Sequence, residues 1–158
     1  MFARTARLLL RPAWREDSPA LHHALTGLAA HDHDTPLTIE DVDALIAREQ
    51  DPLRPELMIF ARTYGAPRLV GGIALAGREN TELRFWIARP YWGLGFATEA
   101  GHAAVDIARD TLRLPSLRAR VDDSGLAAGR VLRKLGFRSV GGGDHRLLLG
   151  FDDEAMAA

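Results

Sequence analysis

The apolar positions of this chain change their period several times, and each change marks an element. Residues 7–11 alternate weakly and stop at Pro12, which suits an opening strand. Asp17 or Ser18 can then cap a helix with Pro19 in its first turn, and Leu21, Leu25 and Leu28 recur at helical spacing. The run His31-Asp32-His33-Asp34-Thr35-Pro36 breaks that helix. Thr38 caps a second one, with Glu40 and Asp41 in its first turn and Val42, Leu45 and Ile46 as an apolar stripe. Residues 57–63 and 69–76 read as strands joined by the turn Tyr64-Gly65-Ala66-Pro67. Over residues 81–88, Leu83, Phe85 and Ile87 alternate with Glu82, Arg84 and Trp86, the period of a half-buried strand.

Pro90 ends that strand, and a glycine-containing segment leads into a long helix over residues 97–112. Its small face (Ala97, Ala100, Gly101, Ala104, Ala108) permits close packing on a sheet. A strand over 117–121, a helix over 126–135 closed by Gly136, and strands over 137–140 and 146–151 complete the order. Strands joined by short turns pair antiparallel, whereas strand–helix–strand across residues 88–121 predicts a parallel pair. The expectation is an α/β fold: one mixed sheet with helices on both faces, in a single domain over 1–158.

Composition narrows the function. Basic and acidic residues number 20 and 21, a net charge of −1, so no surface is built to neutralise nucleic-acid phosphates. There is no cysteine, which removes disulfides, thiolate metal ligands and a cysteine nucleophile together. The longest apolar run, residues 69–77, is too short to span a bilayer. Arg4 and Arg7 are followed only by Leu8-Leu9-Leu10, short of a secretory apolar segment, so a cytoplasmic protein is expected.

The chemistry lies in residues 87–100. A strand ends, Gly93 and Gly95 bend the chain, and a helix begins, so backbone N–H groups converge with the helix's positive end on an anion site. A P-loop would need Gly-Lys-Ser/Thr, which does not occur. A dinucleotide fingerprint would need a third glycine where Thr98 stands. Coenzyme A diphosphate is the third reading. Trp92-Gly93-Leu94-Gly95-Phe96-Ala97 resembles the diphosphate loop of the GNAT superfamily of N-acetyltransferases, Arg/Gln-x-x-Gly-x-Gly/Ala. The wider Tyr91–Ala100 string is similar to the RimJ/RimL-like branch, as are Leu9-Leu10-Arg11-Pro12 and the late Val131-Leu132-Arg133-Lys134-Leu135-Gly136-Phe137.

The resemblance implies a mostly antiparallel sheet of about seven strands, splayed between the fourth (81–88) and fifth (117–121), with the pantetheine of acetyl-CoA in the gap. A main-chain N–H at Ile87 or Ala88 would polarise the thioester carbonyl, an oxyanion-type donor worth ~3 kcal/mol. The diphosphate would take the N–H groups of Leu94, Gly95, Phe96, Ala97 and Thr98, with Trp92 and Gly93 completing the loop. The branch carries Asn-x-x-Ser at the next helix, one residue for the cofactor and one to protonate the departing thiolate. Gly125 and Ala128 occupy those places here, leaving Ser124 as the stand-in acid. An acceptor amine is an ammonium at pH 7 and must lose a proton before attack. Glu82 is the candidate base, and Tyr91 is read as packing. Glu99 and His102 are read as a first-turn carboxylate and a solvent-facing side chain.

In the family the loop between the first two helices borders the acceptor pocket; Asp32 and Asp34 there would attract a cationic amine, His31 or His33 would relay a proton, and Trp86 either lines the acceptor tunnel or covers a helix. As a metal site the same cluster lacks a matching distant pair of ligands, so no metal is expected. The expected reaction is acetyl transfer from acetyl-CoA to a primary amine, a protein N-terminus or a small molecule, by direct attack in a ternary complex. A homodimer is common in this branch. The rival readings are a non-catalytic coenzyme A-binding module, and an NAD or ATP protein using the same loop.

Overall fold

A computed structural model describes residues 1–29, 36–122, 125–141 and 145–151. Among the described residues eight strands form one sheet: β1 (Ala3–Arg4), β2 (Leu8–Arg11), β3 (Glu56–Ala61), β4 (Arg68–Ala76), β5 (Glu82–Ile87), β6 (Ser116–Arg120), β7 (Arg138–Ser139) and β8 (Arg146–Gly150). Their order is β1-β2-β3-β4-β5-β6-β8-β7, and every neighbouring pair is antiparallel except β5–β6. The strand beyond the expected seven is β1. It is two residues long, too short for any alternation to register, and pairs Ala3 with Leu10 through a turn in which Thr5 N–H donates to Leu8 O at 3.0 Å.

Four helices cover the sheet: α1 (Ser18–Ala29), α2 (Ile39–Ala47), α3 (Phe96–Asp106) and α4 (Leu126–Lys134). The alternation along β5 divides its two faces. Leu83 joins Ile59, Ile73, Ala100 and Ala104 in the core beneath α3 and α4, while Arg84 and Trp86 turn toward α1 and α2. Thr38 caps α2 as expected: its Oγ1 accepts from Asp41 N–H at 3.1 Å while Asp41 Oδ2 accepts from Thr38 N–H at 2.9 Å. Gly136 closes α4 at φ 101°, its N–H reaching Arg133 O and that of Phe137 reaching Leu132 O, each at 3.0 Å.

The long central helix spans nearly the expected residues but changes its hydrogen bonding near its end. At Ile107–Thr111 it widens into a π turn, with Leu112 N–H donating to Ile107 O at 2.9 Å. Arg113 then takes φ 55° before Pro115. Leu112 and Leu114 both pack against the core, and this wider turn is what delivers them there. Gly101 serves α4 rather than the sheet, because a Cβ there would lie 2.6 Å from Leu135 Cδ1.

The entry to α1 is pinned electrostatically. A 3-10 turn (Arg15–Asp17) runs straight into α1, and Arg11 binds Asp17 through both guanidinium nitrogens at 2.7 and 3.0 Å. The guanidinium is sandwiched between Trp14 and Phe60, 3.6 and 4.1 Å from their ring centres. Burial alone would raise the Asp17 carboxyl. The Arg11 hydrogen bond, the Trp14 N–H and the Arg11 charge outweigh it and hold the group below the usual carboxylate range. Both side chains are only 11% exposed, so Asp17→Asn leaves a buried guanidinium uncompensated. It is expected to cost about 3 kcal/mol, lowering the melting temperature by roughly 6–12 °C. A carboxyl depressed in the folded state stabilises above its unfolded value of about 3.9 and stops doing so as pH falls through the folded value. Native melts should therefore drop below about pH 4, and melts of the variant should lose that part of the drop.

Candidate active site

The site begins where the sheet opens. β5 and β6 share a single register pair, Glu82 with Arg118, fastened by Arg118 N–H to Thr81 O at 2.9 Å. On its other side β5 stays zipped to β4 through six register pairs, from Glu82–Ala76 to Ile87–Gly71. The parallel strands therefore diverge from Glu82 onward, leaving a gap along one edge of β5. Ala88 N–H donates to Val70 O at 2.8 Å, so the alternation of the ladder turns the N–H groups of Phe85 and Ile87 the other way, into the gap. Of the two main-chain donors the sequence offered, Ala88 is thus spent on β4 and Ile87 faces the opening. The Ile87 carbonyl on the same side accepts from Trp92 Nε1 at 2.6 Å.

At the mouth of the gap the chain makes a 3-10 turn (Arg89–Tyr91) and then the glycine bend. Gly93 and Gly95 adopt φ of 74° and 81°, left-handed conformations that a Cβ disfavours. They aim the chain into α3, whose first residue, Phe96, is anchored in the core at 2% exposure. The N–H of Glu99 is the first taken up within the helix, by Gly95 O at 3.1 Å. Those of Phe96, Ala97 and Thr98 belong to the first turn and have no helical acceptor. Tyr91 lies in the core's margin, its ring centre 6.4 Å from that of Phe96, as packing requires.

Arg7 reaches this loop from the start of the sheet, a residue that sequence reasoning did not assign to the site. Its Nη1 donates to Leu94 O at 2.9 Å, its Nε lies 3.4 Å from Glu99 Oε1, and its guanidinium covers the Phe96 ring at 4.6 Å. Glu99 is therefore an ion-pair partner held under the loop and not merely a carboxylate favoured by the helix dipole. Its second oxygen is enclosed with no hydrogen-bond partner among the described residues. A Cβ on Gly95 would stand 3.3 Å from Arg7 Nη2, so the guanidinium borders the glycine bend. Ninety-odd residues separate Arg7 from Glu99, and no local pattern links them.

Glu82 sits at the closed end of the gap. Its carboxylate is bracketed by Arg84 Nε at 3.3 Å and Arg120 Nε at 3.4 Å, with the side chain 17% exposed. Trp86, on the same face of β5, lines a cavity of about 320 Å³ between the sheet and α1 and α2. Gly125 is the residue before α4, where a Cβ would meet Asp122 O at 3.1 Å and Val121 Cβ at 3.3 Å. Ala128 lies half-buried in the first turn of α4. His31, Asp32, His33, Asp34 and Ser124 lie outside the described residues. His102 is exposed on α3. Among the described residues, no group of three His, Cys, Asp or Glu could hold a metal ion, and no helix is long and apolar enough to cross a membrane.

A sheet opened at its one parallel junction among the described residues, above a helix start whose first-turn N–H groups have no helical acceptor, defines an α/β protein with a cleft along one strand edge. Within that class the chain belongs to the acetyltransferase (GNAT) family, whose domain model matches residues 7–138. Acetyl transfer to amines is the general reaction of that family, which uses acetyl-CoA. No curated protein sequence matches the chain significantly. Solved structures share its fold. A GNAT-family acetyltransferase from Bacillus anthracis superposes with TM-score 0.78 at 19% identity, covering 95% of this chain and 98% of its own. RimL, the ribosomal L7/L12 α-N-protein acetyltransferase in complex with coenzyme A, gives 0.78 at 18% identity, covering 96% and 99%. A chimera of the spermidine N-acetyltransferase SpeG from Vibrio cholerae with hSSAT gives 0.73 at 18% identity, covering 92% and 96%.

Proposed function

We propose that residues 1–158 form a single acetyl-CoA-dependent N-acetyltransferase domain of the RimJ/RimL-like branch. It acts in the cytoplasm on a primary amine, a protein N-terminus or a small molecule, by direct attack in a ternary complex. The observation that carries this reading is the continuity of the β5–β6 gap with the glycine bend and the open first turn of α3. The residues present suit the cofactor: a cradle that a Cβ at Gly95 would crowd, with Arg7 offsetting the Glu99 charge beside it. When bound, acetyl-CoA supplies an acetyl group activated as a thioester.

The N–H groups of Leu94 to Thr98 hold the diphosphate, and Trp92 closes the loop against Ile87 O. Ile87 N–H points at the position where oxyanion charge develops and needs no reorganisation to act there. Glu82 takes the proton that the ammonium must lose before its nitrogen can attack. With glycine at 125 and a methyl at 128, neither place supplies an acid. Thiols titrate near pH 8.5, so a thiolate leaves tolerably without one.

The test is thermal unfolding with acetyl-CoA, coenzyme A, NAD and ATP added separately. A ligand at a hundred times its Kd adds ~2.7 kcal/mol, a rise of roughly 5–10 °C. Shifts with acetyl-CoA and coenzyme A alone are expected, and their absence would refute the reading. Gly125 and Ala128 also favour a second reading, a coenzyme A-binding module without turnover. It predicts the same shifts but no thiol release with any amine, and steady release would exclude it.

A further inference from the structure

We propose that the acceptor is a primary amine with an apolar body and no second positive charge, seated in the cavity beneath α1 and α2. This rests on the acetyl-transfer reading above and adds the substrate class. The cavity holds about 320 Å³. That is within the size range of small-molecule sites, space for a small molecule or one large side chain.

Its walls are aliphatic and aromatic: Leu21 and Leu25 from α1, Leu45 and Ile46 from α2, Met58 from β3 and Trp86 from β5. Trp86 lines the cavity on the sheet side, and the sheet makes room for it. Gly72 lies opposite it on β4, where a Cβ would collide with the indole nitrogen and come 3.3 Å from Met58 Cε. Any other residue at 72 would lift the indole into the cavity. Phe85 joins the two halves of the site, because it lines the cavity while its N–H faces the β5–β6 gap.

The charges on the walls argue against a polyamine. Arg48 Nη2 is satisfied by Glu56 Oε2 at 3.1 Å, and Arg84 Nε by Glu82 Oε1 at 3.3 Å. Arg48, Glu56 and Arg84 are the charged residues of the lining, a formal balance of +1 among the described residues. Among the described residues of the lining a second ammonium would meet no carboxylate without a partner, and it would lose its water for apolar contact. A phenyl or alkyl group loses nothing by the same move.

The experiment compares 2-phenylethylamine and hexylamine with putrescine and spermidine. Thiol release from acetyl-CoA gives kcat/KM, and calorimetry with coenzyme A present gives amine binding independently of turnover. We expect the apolar amines to lead by at least about tenfold. Leu45→Glu, at a rim position already 39% exposed, should narrow or reverse that lead by adding a carboxylate to the wall. Putrescine or spermidine equal to or better than the apolar amines would overturn the substrate class and leave acetyl transfer standing. Apolar amines that bind without thiol release from any amine would overturn acetyl transfer and leave the apolar site standing. No binding of any apolar amine would overturn the assignment of the cavity.

Discussion

Gly95→Glu is expected to weaken coenzyme A binding by at least a hundredfold, measured as Kd by calorimetry. The new carboxylate would stand beside the N–H groups assigned to the diphosphate. Two like charges about 4 Å apart repel by roughly 4 kcal/mol at an effective dielectric near 20, close to a thousandfold in Kd. Arg7, whose Nη2 is 3.3 Å from the Cβ position, can pair with the new carboxylate and return part of that loss. The same pairing withdraws the guanidinium from the cofactor. Gly95→Ala separates the contributions. It imposes φ 81° on an L-residue, a strain of about 1–2 kcal/mol, without adding charge. We expect it to lower the melting temperature by a few degrees and to weaken binding far less than glutamate does. An unchanged Kd in Gly95→Glu would move the diphosphate away from this loop.

Glu82→Gln is expected to lower turnover by 10²- to 10⁴-fold, the range of a lost general base, with the Kd of coenzyme A within about twofold. The substitution keeps the shape of the side chain where β5 and β6 meet. It removes the proton acceptor and weakens the pairs with Arg84 and Arg120. Those guanidinium side chains are 64% and 74% exposed, and pairs of that kind contribute at most about 1 kcal/mol. The melting temperature should therefore fall by only a few degrees. A large drop in melting temperature alongside the rate would reveal a structural role at the strand junction. Unchanged turnover would place the base elsewhere.

The alternation of Leu83, Phe85 and Ile87 was enough to locate β5 and its two faces, because strand side chains alternate whatever lies on either side. Thr38 with Asp41, and Gly136 after Leu135, were enough to bound α2 and α4, because caps satisfy backbone groups within four residues. The glycine bend before Phe96 was legible for the same reason: Gly93 and Gly95 shape a turn whose conformation is local.

Other features were decided by residues far apart in the chain. β8 inserts between β6 and β7, a choice made by packing and not by adjacency. The π turn at Ile107–Thr111 has no local sequence signal, and it accompanies the packing of Leu112 and Leu114 against the core. Arg7 meets Leu94 and Glu99, and the Trp86 indole lies against Gly72, only once β2, β4, β5 and α3 share one sheet and its cover. Hydrophobic period and capping act over a few residues, so the sequence alone determined most of the elements, the glycine bend and the family resemblance. The family resemblance already implied that β5 and β6 part, but the residue at which they part, the Arg7 contact and the apolar cavity depend on distances between strands and helices, and tertiary packing decided them.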